Sequence, residues 1–170
     1  MRVNPLFVLI GIAAALYLGS WLRPHHDDIV MNGRARVIDG DTIELAGKRI
    51  RLFGIDAPER DQTCERGGGS WACGVDATRY LRRLVGSENV GCQVRATDVY
   101  GRYVARCLVG EEDLGRAMVR AGLAINTSRT GDYAAEEASA RAGHLGIWSG
   151  AFQNPRDWRA ANRDNGRTGD

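Results

Sequence analysis

Residues 51–59 read RLFGIDAPE and are the most informative stretch of this 170-residue chain. A strand-like apolar run ends there in the acidic side chains Asp56 and Glu59. Two further segments have the same character, since residues 39–42 read DGDT and residues 98–102 read DVYGR. All three lie at the edges of apolar runs and together supply carboxylates and arginines. Hard oxygen ligands beside planar cations are the groups that metal-assisted attack on a phosphodiester requires.

These segments, in this order, resemble the motifs of the staphylococcal nuclease (thermonuclease) family over residues 35–158. The resemblance implies that the carboxylates of Asp41 and Asp56 and the backbone carbonyl of Ala57 hold a Ca²⁺ ion. Calcium accepts about six to eight oxygen ligands in loose geometry, so waters and a substrate phosphate would complete the site. The archetype of the family has threonine where this chain has Ala57. Only the carbonyl is needed there, so we expect little loss of metal affinity.

The same resemblance implies the catalytic residues. Glu59 matches the carboxylate that orients or deprotonates the attacking water. Arg51 and Arg102 match two arginines that bind the scissile phosphate, which a planar guanidinium does with paired N–H donors. Tyr100 is a candidate for stacking on a base, with packing in its own loop as the alternative. Taken singly, Asp-Gly pairs are common in hairpin turns and a strand arginine can simply face solvent.

The hydrophobic pattern predicts an α+β fold that is mainly β. Val-, Ile- and Leu-rich segments broken by turn residues predict five strands, at residues 35–38, 42–45, 49–55, 91–97 and 102–109. About three helices are expected, at residues 75–85, 114–121 and 133–142, with Asp113 and Asp132 as caps of the last two. Five strands with a helix after the third suit a five-stranded OB-fold barrel, which is also the fold of the family.

The N-terminal sequence predicts a segment that directs the protein to the membrane. Residues 5–22 are apolar all round, so residues 1–24 are expected to form an apolar helix that is a signal peptide or a signal anchor. A linker over residues 25–33, the domain over residues 34–158 and a polar, disordered tail over residues 159–170 would follow. Both alternatives export the domain, either anchored at the membrane and facing the periplasm or outside, or secreted after cleavage.

The chain has four cysteines without C-x-x-C spacing: Cys64, Cys73, Cys92 and Cys107. If Thr97 pairs with Arg102 across the loop of residues 98–101, Cys92 lies opposite Cys107 on a strand pair. Cys64 and Cys73 bracket a glycine-rich loop. Export favours two disulfides, Cys64–Cys73 and Cys92–Cys107, and four reduced thiols are the alternative.

Composition restricts how a nucleic acid could be bound. The formal charge is only +2 and Lys48 is the single lysine, so phosphate affinity must come from locally placed arginines. We expect an exported, monomeric, Ca²⁺-dependent endonuclease that cleaves single-stranded DNA and RNA with little sequence preference and leaves 3′-phosphate ends. Two alternatives remain: a non-catalytic OB-fold binding module, and an accessory protein of envelope or exopolysaccharide biosynthesis built on the same fold.

Overall fold

The computed structural model describes residues 29–165. The predicted signal or anchor segment, residues 1–24, lies outside the described residues. Within residues 29–165, no helix has the length and apolar character needed to cross a membrane. The first strand begins at Val30, inside the segment expected to be a linker, so the ordered domain starts earlier than the sequence indicates.

A closed β-barrel forms the body of the domain. Its strands are β1 (Val30–Val37), β2 (Thr42–Leu45), β3 (Lys48–Leu52), β7 (Asn89–Thr97) and β8 (Tyr103–Val109). They pair in the order β3-β2-β1-β7-β8, and a parallel pairing of β3 with β8 closes the barrel. The predicted five-stranded, mainly β fold is confirmed.

Shorter elements connect and cover the barrel. They are the strands β4 (Ile55–Asp56), β5 (Cys64–Arg66), β6 (Gly69–Trp71), β9 (Glu112–Asp113) and β10 (Ile125–Asn126), the helices α1 (Cys73–Val85), α2 (Leu114–Arg120), α3 (Ala134–Ala142) and α4 (Pro155–Asn165), and a 3₁₀ turn, Gly146–Ser149. The described residues thus contain four α-helices, one more than the sequence predicts.

Strand alternation explains which side chains reach the site. In β3, Ile50 and Leu52 are buried in the barrel, and Arg51 between them points to the opposite face. Helix α1 covers the barrel with a buried stripe that includes Ala77 and Leu81. The hydrophobic core is therefore continuous beneath the face that carries Arg51.

One of the two predicted helix caps is present. The Asp113 carboxylate accepts the backbone N–H of Arg116 and caps α2, as predicted. The prediction for Asp132 is wrong, because α3 begins after Tyr133 without a side-chain cap. The Asp132 carboxylate instead accepts hydrogen bonds from the hydroxyls of Ser128 and Thr130. These local hydroxyl donors replace the helix N–H groups as its partners.

Both predicted disulfides are present. Cys92 lies directly opposite Cys107 in the β7–β8 pair, and Cys64 is linked to Cys73 at the start of α1. All four sulfur-bearing side chains are buried. The Cys64–Cys73 bond joins the glycine-rich β5–β6 hairpin to the helix that packs on the barrel.

The tip of the β7–β8 hairpin differs from the predicted register. Thr97 pairs with Tyr103, whereas the sequence pattern favours Arg102 as its partner. A β-bulge between Val94 and Ala96 adds one residue to β7 and restores the register before the two cysteines. The bulge explains why the cysteine pairing is right although the tip is shifted by one residue.

The C-terminal segment is helical where the sequence indicates a disordered tail. Helix α4 extends from Pro155 to Asn165 and includes the first residues of that tail. The Asn154 side chain accepts the backbone N–H of Arg156, and Pro155 occupies the first turn. Asn-Pro is therefore the sequence signal that could have predicted this helix.

Candidate active site

An open cleft of about 970 Å³ lies at one end of the barrel. Five of the residues predicted for the site line it: Asp41, Arg51, Glu59, Tyr100 and Arg102. The structure therefore brings together side chains from the turn after β1, from β3, from the loop after β4 and from the β7–β8 hairpin.

Arg51 links the two predicted metal-binding carboxylates. Its Nη1 lies 2.9 Å from Asp41 Oδ1, and its Nη2 lies 2.5 Å from Asp56 Oδ1. The Arg51 side chain is 20% exposed, whereas both aspartates are 6% exposed. Burial alone would lower the pKa of Arg51, but the two neighbouring carboxylates outweigh that effect and raise it. The guanidinium is therefore held charged between the carboxylates.

Asp41 is buried at the base of the cleft. Its Oδ1 accepts the Thr42 hydroxyl at 2.9 Å, and its Oδ2 accepts the Ala57 N–H at 3.2 Å. Burial raises the pKa of Asp41 to about 7, although Arg51 acts in the opposite direction. Packing requires a glycine at the preceding position, because a Cβ at Gly40 would lie 2.7 Å from the Ala57 Cβ. This close approach aligns the two turns that carry the predicted metal ligands.

Glu59 lies on a loop that a buried glutamine holds in place. The Gln62 side chain is fully buried, and its Oε1 accepts the Glu59 N–H at 3.2 Å. Its Nε2 donates to the Gln153 carbonyl at 2.6 Å. Gly74, at the start of α1, packs against this loop so closely that a Cβ would lie 1.7 Å from the Glu59 carbonyl oxygen. Sequence reasoning missed Gln62, because nothing in its local pattern marks it as buried.

The β7–β8 hairpin presents Arg102 and Tyr100 to the cleft. The Arg102 Nε donates to Asp98 Oδ2 at 2.7 Å, and its terminal Nη groups make no hydrogen bond to the described residues. The Arg102 guanidinium carbon lies 5.6 Å from the centre of the Tyr100 ring. Tyr100 is 73% exposed, which is inconsistent with a packing role for its ring. The ring is free to contact a ligand.

Helix α4 adds a residue that the sequence analysis missed. Arg159 Nη1 lies 2.9 Å from Asp56 Oδ1 and 2.7 Å from Glu59 Oε1, and its Nη2 lies 2.9 Å from Asp56 Oδ2. Burial would lower the pKa of Arg159, but these hydrogen bonds raise it and keep the group charged. The contact spans 103 residues of sequence and depends on how α4 packs, so no local pattern indicates it.

The cleft is rich in arginine, although four carboxylates also line it, those of Asp39, Asp41, Glu59 and Asp61. Five arginines line it: Arg49, Arg51, Arg102, Arg156 and Arg159. Arg156 and Arg159 come from α4, together with the partly buried Trp158. Among the described residues, the positive charge in the cleft therefore comes from arginine alone, since Lys48, the single lysine, does not line it.

The donor atoms fit a calcium ion, although the described residues contain no cluster of three or more metal-binding side chains. Asp41 and Asp56 meet at the same guanidinium. The buried Ala57 carbonyl oxygen accepts no hydrogen bond from the described residues. A buried oxygen without a donor beside two carboxylates is a suitable partner for a hard cation.

The barrel and the cleft place the protein in a class, the nuclease-like OB-fold proteins, and comparison with known proteins gives the family. Residues 49–150 match the family model described as staphylococcal nuclease homologue. The uncharacterized endonuclease of Escherichia coli O157:H7 is 33% identical over 155 residues, covering 85% of this chain and 92% of that protein. The chain belongs to the staphylococcal nuclease homologue family.

Two further relatives carry different names. The succinoglycan biosynthesis protein ExoI of Rhizobium meliloti is 37% identical over 121 residues, covering 68% of this chain and 63% of that protein. The Botryotinia fuckeliana protein named probable endonuclease lcl3 is 28% identical over 145 residues, covering 76% of this chain and 54% of that protein. The matched region therefore spans less than two thirds of these two relatives.

Proposed function

We propose that this protein is a Ca²⁺-dependent endonuclease that hydrolyses single-stranded DNA and RNA with little sequence preference. The observation that carries the proposal is the convergence of Arg51, Glu59 and Arg102 on one open cleft above Asp41. The family supports phosphodiester hydrolysis, and the arginine-lined cleft supports a polyanionic substrate. The exposed Tyr100 ring can stack on any base, which supports cleavage with little sequence preference.

The proposed reaction is hydrolysis of the P–O5′ bond. Water adds to phosphorus, the P–O5′ bond breaks, and the products are a 3′-phosphate and a 5′-hydroxyl that takes up a proton. When bound at Asp41, Asp56 and the Ala57 carbonyl, Ca²⁺ would supply Lewis-acid polarisation of a phosphate oxygen.

Side chains of the protein would orient the attacking water and bind the phosphate. Glu59 would accept a hydrogen bond from the attacking water and orient it, or take its proton. Arg51 and Arg102 would donate to the non-bridging phosphate oxygens, and these bonds strengthen as negative charge develops in the transition state. Tyr100 would support the strand by stacking on a neighbouring base.

Incubation of the purified full-length protein with single-stranded DNA and with RNA tests this function. Cleavage should require Ca²⁺, stop in chelator and return when Ca²⁺ is restored. Mg²⁺ should substitute poorly, because it demands tighter octahedral geometry and releases water reluctantly. The products should resist extension by a polymerase until a 3′-phosphatase is added. Full activity in chelator would overturn the proposed site.

The name of one relative supports a second candidate, an accessory role in exopolysaccharide biosynthesis. The supporting observation is the 37% identity to the succinoglycan biosynthesis protein ExoI. If this role needs no hydrolysis, the Glu59→Gln variant should restore exopolysaccharide production in cells that lack the gene. Failure of that variant, with restoration by the unaltered gene, would link the role to the nuclease chemistry.

We also propose that the domain is exported. The two disulfides support this location, because such bonds persist in oxidising compartments. A cell-impermeant protease should degrade the domain in cells whose cytoplasmic marker protein stays intact. Protection of the domain under these conditions would contradict export.

A further inference from the structure

We propose that Arg159 is a tethered cation that occupies the carboxylates of the Ca²⁺ site and must leave them when the metal binds. The inference deepens the proposed function and rests on its metal site. It assigns to helix α4 a role in setting the affinity of the protein for a divalent cation.

The contacts of Arg159 compete directly with a metal. Its guanidinium takes both oxygens of Asp56, with Nη1 2.9 Å from Oδ1 and Nη2 2.9 Å from Oδ2. Nη1 also lies 2.7 Å from Glu59 Oε1 and so bridges the two carboxylates. A Ca²⁺ ion needs oxygens at about 2.3–2.6 Å, and it cannot approach the same oxygen pair beside a guanidinium of like charge.

The local charge favours exchange of one cation for the other. Asp41, Asp56 and Glu59 face two guanidinium groups, those of Arg51 and Arg159. With all three carboxylates ionised, as they are above the raised pKa of Asp41, this arrangement leaves a single negative charge. Adding Ca²⁺ with Arg159 still in place would make the cluster positive, whereas replacing Arg159 by Ca²⁺ would make it neutral. Electrostatics therefore favour departure of Arg159 upon metal binding.

The attachment of α4 makes this departure possible. At its N-terminal end the helix is fixed, because Asn154 caps it and Pro155 is buried. The backbone N–H groups of Arg156 and Trp158 bond to Asn154 at this fixed end. From residue 156 to residue 162, the side-chain hydrogen bonds and ion pairs to described residues before 154 are those of Arg159. Release of this one side chain would free the helix to turn away about its first residues.

Calorimetric titration of Ca²⁺ into the full-length protein tests the competition without using activity. Suppose that Arg159 is released from the carboxylates in only about one tenth to one hundredth of the metal-free molecules. The apparent Kd for Ca²⁺ is then raised by about tenfold to a hundredfold. Arg159→Ala should therefore lower the Kd for Ca²⁺ by about that factor. Arg156→Ala is the matched control, since it removes the same charge from the same helix, and among the described residues it is Arg159 rather than Arg156 that forms ion pairs with the carboxylates. An equal Kd in Arg159→Ala and the unaltered protein, or equal changes in both variants, would overturn the inference.

Hydrogen exchange of the unaltered protein is a second measurement that does not depend on a variant's folding. Saturating Ca²⁺ should speed exchange of the backbone amides of residues 158–162, and unchanged or slower exchange would overturn the inference. Ca²⁺-dependent cleavage by a protein that fails both tests would leave the proposed function intact. Absence of Ca²⁺ binding by the unaltered protein and by Arg159→Ala would refute both proposals.

Discussion

Arg102 donates two hydrogen bonds to Asp98 on its own hairpin, from the backbone N–H at 2.9 Å and from Nε at 2.7 Å. The same carboxylate accepts the Tyr100 N–H at 2.9 Å. Asp98 thus closes the loop and fixes the plane of the Arg102 guanidinium. The two Nη groups make no hydrogen bond to the described residues, which leaves them available for a phosphate.

Asp98 is therefore expected to act as a positioning residue. Arg102→Ala should lower kcat on single-stranded DNA by about 10²–10³, the usual loss when one donor to a developing charge is removed. Asp98→Ala should cost less, about tenfold to a hundredfold, because the guanidinium remains but is poorly oriented. Asp132→Ala is the control, since Asp132 closes a loop outside the cleft. Equal kcat in Asp98→Ala and the unaltered protein would contradict the positioning role.

The raised pKa of Asp41 predicts a pH-dependent stability of the metal-free protein. The pKa is about 7 in the folded state against an ordinary value of 3.8, so the folded state binds the proton more tightly than the unfolded state. The stabilising contribution is full below pH 3.8 and is lost as the pH rises through 7. Asp41→Asn lacks this loss. In chelator, the Tm of Asp41→Asn minus the Tm of the unaltered protein should therefore increase as the pH is raised from 5 to 8.

Asp132→Asn serves as the comparison for this titration. Hydrogen bonds from Ser128 and Thr130 lower the pKa of Asp132, so this group stays ionised from pH 5 to pH 8. Its Tm difference from the unaltered protein should be constant over that range. A constant difference for Asp41→Asn as well would show that Asp41 does not titrate there.

Sequence reasoning succeeded where short-range patterns determine the structure. Alternation in β3 buries Ile50 and Leu52 and necessarily turns Arg51 the other way. The opposed cysteines of the β7–β8 hairpin follow from the position of one loop. Such features depend on strand geometry, which a few residues specify.

It failed where distant segments determine the environment of a residue. Gln62 is buried because the segment containing Gln153 covers it, 91 residues away. Arg159 reaches Asp56 only through the packing of α4. The polar composition that suggested a disordered tail is explained in part by the site itself, because Arg159 pairs with two carboxylates and Arg156 lines the open cleft.

Gln62 is expected to stabilise both the fold and the loop of Glu59. Gln62→Leu keeps the volume of this fully buried side chain but removes the partners of the part-buried Glu59 N–H and of the Gln153 carbonyl. Each lost hydrogen bond should cost about 0.5–1.5 kcal/mol of unfolding free energy, because both partners lie close enough to solvent to be hydrated. Denaturant unfolding measures this cost. In the comparison variant Gln93→Leu, the replaced glutamine lies partly buried on β7, so the loss of unfolding free energy should be smaller.

The disulfides are expected to contribute unequally. Cys92 and Cys107 close a loop of 15 residues, and the chain-entropy model gives about 3 kcal/mol for such a loop. The shorter Cys64–Cys73 loop, with a separation of 9 residues, should contribute slightly less. Paired Cys→Ala variants unfolded in urea give the two values. Larger destabilisation by the loss of Cys64–Cys73 would show that this bond does more than restrict the unfolded chain.

The Glu59→Gln variant separates an enzyme from a binding module. It keeps the size of the side chain but removes the charge that orients or deprotonates water, so kcat should fall by about 10²–10⁴. The Glu59 side chain is 30% exposed, and Arg159 retains both bonds to Asp56, so the fold should persist with nearly the same Tm. Affinity for single-stranded DNA, measured by fluorescence anisotropy in Ca²⁺, should change little.

Glu65→Gln is the matched control for this variant. Glu65 lies in the exposed β5–β6 hairpin and does not line the cleft, so the same loss of charge there should leave kcat unchanged. A binding module would show no cleavage by the unaltered protein and equal DNA affinity in both variants. Cleavage that persists undiminished in Glu59→Gln would mean that another group activates the water, and the assignment of Glu59 would be wrong.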